Sequence, residues 1–303
     1  MRTDDNPQAV LIEQILATAF QIHPYRWPII GWMQDIARFT LEDLKAYYKT
    51  YYNPINAILV VVGDFKKGDL LPKIEKAFGS YPKGVAPAQE KDIDPSQIGE
   101  RRIFVKKEAQ LPSLVMGYHV PNLREQDSYV LEVVATLLSG GKSSRLYQSL
   151  VRQKRLVLSV DADHSLLSRD PGLFYLSAEL LPGKEVAEVE KAFDQEVEQL
   201  QREPVEKREL EKAKNQLEAA FIFAQDSLFY QAMLLVRHEI AISWKTIEDY
   251  LPSIRKVSPE DIQRVAKKYL TPDNRTVGIL IPLPPKEGKS GPTEGSAKEH
   301  LVR

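Results

Sequence analysis

TLEDLKAYYKTYYNPINAILVV (Thr40–Val61) is answered 218 residues later by SPEDIQRVAKKYLTPDNRTVGI (Ser258–Ile279). Glu42 pairs with Glu260, Asp43 with Asp261, Lys49 with Lys267, Tyr51 with Tyr269, Pro54 with Pro272 and Asn56 with Asn274. The apolar positions agree too: Leu44 with Ile262, Leu59 with Val277, Val61 with Ile279. Each copy opens on Thr or Ser three residues before Asp, a capping box with Asp in the Glu/Gln place. In the first copy Leu44, Tyr47, Tyr48 and Tyr51 then share a helix face, Asn53-Pro54 ends the helix, and Ala57–Val62 reads as a buried strand. Any capped helix, proline break and strand would share the first few matches. It would not keep Tyr, Pro and Asn in register, so the pattern reads as a duplication.

The duplication predicts the organisation of the chain. The second copy closes a domain that begins near residue 100. Shifting that start back by 218 places the first domain's start before Met1, so over a hundred residues are expected to be missing at the front. The expected fold class is α+β: tandem-repeat α/β-roll domains, the first domain incomplete. Residues 1–83 are then the back half of the first domain, 84–99 a linker rich in Pro, Asp, Gln and Ala, 100–282 a complete second domain, and 283–303 a polar Pro/Gly-rich tail expected to be disordered.

Outward from the repeat, the periodicity predicts helices over 8–22, 68–78, 127–138 and 145–153. It predicts an amphipathic helix over 184–202 and one long helix over 206–240. Strands are expected at Arg102–Val105, Ser113–His119, Val157–Ala162 and Gly172–Glu179, and His23–Gly31 as a loop. Helices over 8–22 and 40–51 and the strand 57–62 would pack on the missing half domain, so residues 1–83 should expose apolar surface and self-associate or dock on a partner.

Composition excludes several function classes. The 303 residues carry 41 Lys+Arg against 42 Asp+Glu, a net charge of −1, which sets up no field for nucleic acid or an anionic membrane. The aliphatic run Ala57–Val62 is far short of the about 20 apolar residues of a membrane span. With no cysteine, disulfide scaffolds, thiolate metal sites and cysteine nucleophiles are excluded. The five histidines, His23, His119, His164, His238 and His300, are never closer than 45 residues, so no H-E-x-x-H or H-x-x-E-H pair exists to seat zinc on one helix face, and each reads as structural. Gly140-Gly-Lys-Ser143 lacks the first glycine and the preceding strand of a phosphate loop, and no G-x-S-x-G is present.

HPYRWPIIGWMQDIARFTLEDLKAYYKTYYNPINAILVVVGDF (His23–Phe65) and LLSGGKSSRLYQSLVRQKRL (Leu137–Leu156) resemble the pitrilysin/insulinase zinc peptidases. These inverzincins include mitochondrial processing peptidase and bacterial relatives. The resemblance covers Met1 to about Pro282. It implies paired α/β-roll domains and peptide-bond hydrolysis at a zinc held by H-x-x-E-H and a later Glu. None of those ligands lies in this chain, so no metal or cofactor site is expected here. Zinc is expected in a full-length parent, and Met1-Arg-Thr-Asp-Asp-Asn-Pro resembles the sequence that follows the third ligand.

In the family an Arg, followed seven positions later by a Tyr, holds the backbone of the bound peptide. The matching Arg is Arg152, and the Tyr position is Ser159. The pair is incomplete. By resemblance, the parent is the zinc-bearing subunit working with an Arg/Tyr-bearing homologous subunit on a peptide or unfolded-protein substrate, as a homo- or hetero-oligomer. Arg152 alone also fits a solvated helix-end arginine. The alternative is a non-catalytic family member, an assembly or peptide-binding subunit, taking peptide by β-augmentation on an edge strand, Arg102–Val105 or Ser113–His119. A periplasmic location is suggested by resemblance only.

Overall fold

Capping chemistry sets the first elements. In the computed structural model, which describes residues 5–89 and 91–284, Asn6 Oδ1 accepts from Gln8 N and Ala9 N at 3.0 and 3.1 Å and starts α1 (Pro7–Ala19), with Pro7 in the first turn. The helix stops at Ala19 rather than at Ile22. The next three amides, of Gln21, Ile22 and His23, all donate to the Asp94 carboxylate at 2.7–2.8 Å, and Pro24 follows. Helix α2 spans Met33–Arg38, α3 Leu41–Tyr51 and α4 Lys67–Phe78.

The two repeat copies fold alike where local chemistry governs. Thr40 and Asp43 close a capping box on α3, and Ser258 and Asp261 close the same box on α10 (Pro259–Tyr269). Each helix runs into a single turn of 3₁₀ helix, Pro54–Asn56 and Pro272–Asn274. Asn56 Nδ2 donates to Tyr51 O at 2.9 Å, and Asn274 Nδ2 donates to Tyr269 O at 2.8 Å. That shared bond from the turn back to the helix end, with proline opening each turn, is why Pro and Asn stay in register. Beyond it the copies part. Residues 275–283 form strand β5 (Arg275–Leu283), whereas the expected strand 57–62 is an exposed extended segment with no strand beside it among the described residues. An apolar β-branched run supplies extended backbone, but a strand also needs a neighbour's N–H and C=O groups.

The sheet is built from β1 (Arg101–Glu108), β2 (Ser113–Val120), β3 (Val157–His164), β4 (Gly172–Leu180) and β5, in the order β1-β5-β2-β4-β3. β1 and β5 are parallel, and every other pair is antiparallel. β2 is therefore central and paired on both sides, which corrects its reading as an edge for peptide addition. β1 and β3 are the edges.

One sheet face is covered by α5 (Asp127–Ser139), α6 (Val186–Arg202), α7 (Lys207–Ala224), α9 (Tyr250–Lys256) and α10, around Leu114, Met116, Phe174, Phe193 and Ile262. The single helix expected over 206–240 is two: α7 and α8 (Leu228–Ala241) meet at 114°, where Ser227 Oγ accepts from Tyr230 N and caps α8. The other face is covered by α1, whose Leu11, Ile15 and Ala19 recur every four residues and pack on Val115, Leu173 and Leu280. A Cβ on Gly278 would lie 2.6 Å from the Ile15 side chain, so only glycine admits α1 this close. The first repeat copy has Val60 at that position. The fold is α+β, as the sequence pattern predicts, and the expected tail lies outside the described residues from residue 285 onward.

Candidate functional site

Arg152 lies near the end of a π-helix, Tyr147–Gln153, within the helix expected over 145–153. The wide turn is sealed by Lys154 N donating to Ser149 O and Leu156 N donating to Leu150 O, both at 2.9 Å. Single-turn π segments are uncommon and concentrate at functional sites. Arg155 then takes φ +48°, a left-handed conformation unfavourable for a residue with a Cβ, and turns the chain into β3. Arg152 is exposed, and its guanidinium makes no ion pair or hydrogen bond among the described residues. Ser159 is exposed on the edge strand β3, beside a register shift between Val157 and Ser159 that leaves Leu158 out of the pairing. The π-helix packs on β3, so Arg152 and Ser159 belong to neighbouring elements at one rim of the sheet.

A second feature was not singled out by the sequence reading. A cavity of about 380 Å³ opens between α5, the end of β3, α7, α8 and Tyr250. Glu132, Asp163 and His164 line it, with Leu217, Phe221 and Tyr230 among its apolar and aromatic walls. Burial, and then the neighbouring Asp163, push the Glu132 carboxyl up to about 7. Burial and Asp161 raise Asp163 as well. Burial holds His164 down to about 4, and neither of its ring nitrogens has a hydrogen-bond partner. A signal existed: Glu132 is the only charged residue between Ser128 and Ser139 in the apolar helix α5.

The described histidines are dispersed. His23 Nδ1 accepts from Tyr25 N, with Asp170 at 3.7 Å from Nε2. His119 Nε2 lies 3.0 Å from Ala19 O, and burial lowers its proton affinity. His238 Nδ1 lies 2.8 Å from Thr246 Oγ1. Among the described residues no three His, Cys, Asp or Glu side chains come together to hold a metal. The donor set does not fit zinc.

The family profile described as "Peptidase M16 inactive domain" matches residues 38–217. The chain belongs to this family. Its resemblance to pitrilysin-type peptidases, carried by His23–Phe65 and Leu137–Leu156, is thereby upheld. The zinc protease PqqE of Helicobacter pylori is 31% identical over 288 residues, covering 93% of this M16 chain and 64% of that protein. The chain thus spans just under two thirds of that relative's length. A crystal structure of a protease from Helicobacter pylori, 31% identical, aligns with a TM-score of 0.85 over 93% of this chain and 68% of that one. A chain of complex III2 from Candida albicans shares the M16 fold at TM-score 0.76 and 15% identity, over 92% of this chain and 68% of that chain.

Proposed function

We propose that this chain is the non-catalytic, C-terminal portion of a zinc-dependent endopeptidase, inactive alone, which walls the substrate chamber and contacts the partner. The observation that carries this reading is the match to the inactive domain, in a chain whose described residues hold no zinc ligand set. Zinc would belong to the part bearing H-x-x-E-H, where it supplies an activated water. Residues 1–83 would be the back half of the zinc-bearing domain, 84–99 the connection, and 100–282 the second domain. Arg152 would donate to backbone carbonyls of an extended peptide lying along the exposed rim of β3. The missing Tyr at Ser159 would be supplied by a homologous Arg/Tyr-bearing subunit.

Two measurements test this. The chain alone, with or without zinc, should leave a quenched-fluorescent peptide intact, and chelator-sensitive cleavage would overturn the reading. Calorimetry with an extended peptide should show binding that Arg152→Ala weakens about tenfold, the loss expected for a charged hydrogen-bond donor.

The fold shared with a chain of complex III2 favours a second reading, an assembly or peptide-binding subunit. Joining the chain to a front part that bears H-x-x-E-H and mixing the product with an Arg/Tyr-bearing homologous subunit separates the two. Gain of cleavage supports the peptidase portion; complex formation without cleavage supports the assembly role.

A further inference from the structure

The cavity beside α5 combines features that ordinary packing removes. Glu132 sits mid-helix at its floor, and no hydrogen bond or ion pair reaches its carboxylate among the described residues. Asp163, at the end of β3, lines the same space but is itself exposed, and its carboxylate accepts from the His164 backbone. His164 is 8% exposed, lines the cavity, and leaves both ring nitrogens unpartnered. Buried carboxylates are normally paired, and buried ring nitrogens normally bonded. Here the polar floor faces open volume walled by Phe221, Tyr230 and leucines. His164 is held neutral by burial and cannot neutralise the acids. His238 is occupied by Thr246. Arg237, the only Arg or Lys among the described lining residues, is exposed and stands towards solvent.

We propose that this cavity binds an organic ammonium group on an apolar or aromatic stem, the ammonium pairing with Glu132 and donating to His164, with the exposed carboxylate of Asp163 adding negative charge at the cavity edge, the stem lying against Phe221 and Tyr230. A cation entering head first completes the unpaired floor, and aromatic faces favour a cation passing over them. A bare metal ion is a poorer occupant, since the described residues offer no set of three metal-binding side chains. With Arg237 at the solvent side, the trailing end of the ligand should be neutral or anionic. The proposal is independent of the peptidase reading, because neither Ser159 nor any residue of Tyr147–Gln153 lines the cavity.

The test uses the full chain and 2-phenylethylamine. A fragment of this size should bind one to one with a Kd of about 0.1–5 mM and raise the melting temperature. Glu132→Gln should weaken it about ten- to hundredfold, the loss of one charged partner. That variant should remain folded, since it removes an unpaired carboxylate, and its own melting curve checks this. The neutral analogue 2-phenylethanol should bind far more weakly. A Phe-Ala-Ala amide with a free N-terminus separates the sources: binding of the free amine alone assigns a small-molecule amine, and binding of both assigns a peptide N-terminus. Absence of saturable binding by either, equal binding of the alcohol, or equal binding by folded Glu132→Gln would overturn the proposal.

Discussion

Two groups that line one cavity, Glu132 partly buried and His164 buried, pull stability in opposite directions with pH. Glu132 has a folded pKa of about 7 against an ordinary 4.5, so the folded state holds its proton more tightly, and its contribution is present at low pH and lost as pH rises from 4.5 to 7. His164 has a folded pKa of about 4 against 6.5, so the unfolded state takes the proton first, and stability is lost as pH falls from 6.5 to 4. Each slope amounts to about 3 kcal/mol, and the two offset between about pH 4.5 and 6.5. Glu132→Gln should therefore unmask the histidine, with urea midpoints rising from pH 4 to 6.5. His164→Phe should unmask the glutamate, with midpoints falling from pH 4.5 to 7. Parallel profiles in both variants would contradict the opposed shifts. Asn274 gives a simpler case. Its amide donates to Tyr269 O and His119 O, both at 2.8 Å, and Asn274→Ala should cost about 1–3 kcal/mol. Asn56→Ala removes one exposed bond and should cost under about 1 kcal/mol on the same urea titration.

At the scale of elements, α1 deserves its place by packing rather than by position in the chain. It precedes the sheet by some eighty residues yet covers the face that α5–α10 leave bare. Asp94 pins its end through three amides, and Arg101 donates to Thr18 O and Ala19 O. Burial and the three amide bonds act on Asp94 in opposite senses, and the net effect holds its carboxyl below the usual range. Ile15→Ala should cost about 2–5 kcal/mol. Gly278→Ala should cost about 1–3 kcal/mol by overpacking against Ile15. The double variant should be less destabilised than the sum, because the smaller side chain makes room for the added methyl. Strict additivity in urea would mean that α1 does not bear on Gly278.

At the scale of the whole molecule, residues 22–83 differ from the rest. Trp27, Ile30, Leu44, Tyr48 and Phe78 are each more than half exposed, and α2, α3 and α4 bury no residue. That much clustered apolar surface exceeds what a monomer in water ordinarily shows. Light scattering should find masses above that of one chain, rising with concentration, together with binding of an apolar dye. A single monomeric species at every concentration would count against it. The repeat explains the contrast: α10 buries Ile262, Val265 and Ala266 beneath a finished sheet, whereas its counterpart α3 has no sheet to cover among the described residues.

What could be read from the residues follows the range of the forces involved. The capping boxes at Thr40 and Ser258, the proline turns and the Asn-to-carbonyl bonds are closed within five residues, so their pattern is written directly in the chain. The π character of 147–153, the break at Ser227 and the early end of α1 were not legible, because carbonyl spacing and a carboxylate 71–73 residues away decide them. Arg152 and Ser159 were found through the family resemblance, but their common rim beside an edge strand required the strand order. Placing β5 between β1 and β2 joins residues more than 150 apart, which no local periodicity reports. The Glu132–Asp163–His164 cavity likewise gathers a mid-helix acid and a strand end, each unremarkable alone. Local hydrogen bonds and apolar spacing specified the elements of this protein. Which strand found a neighbour, which apolar face found cover, and which acid was left unpaired were settled only when distant segments met, since burial and pairing are properties of surroundings rather than of residues.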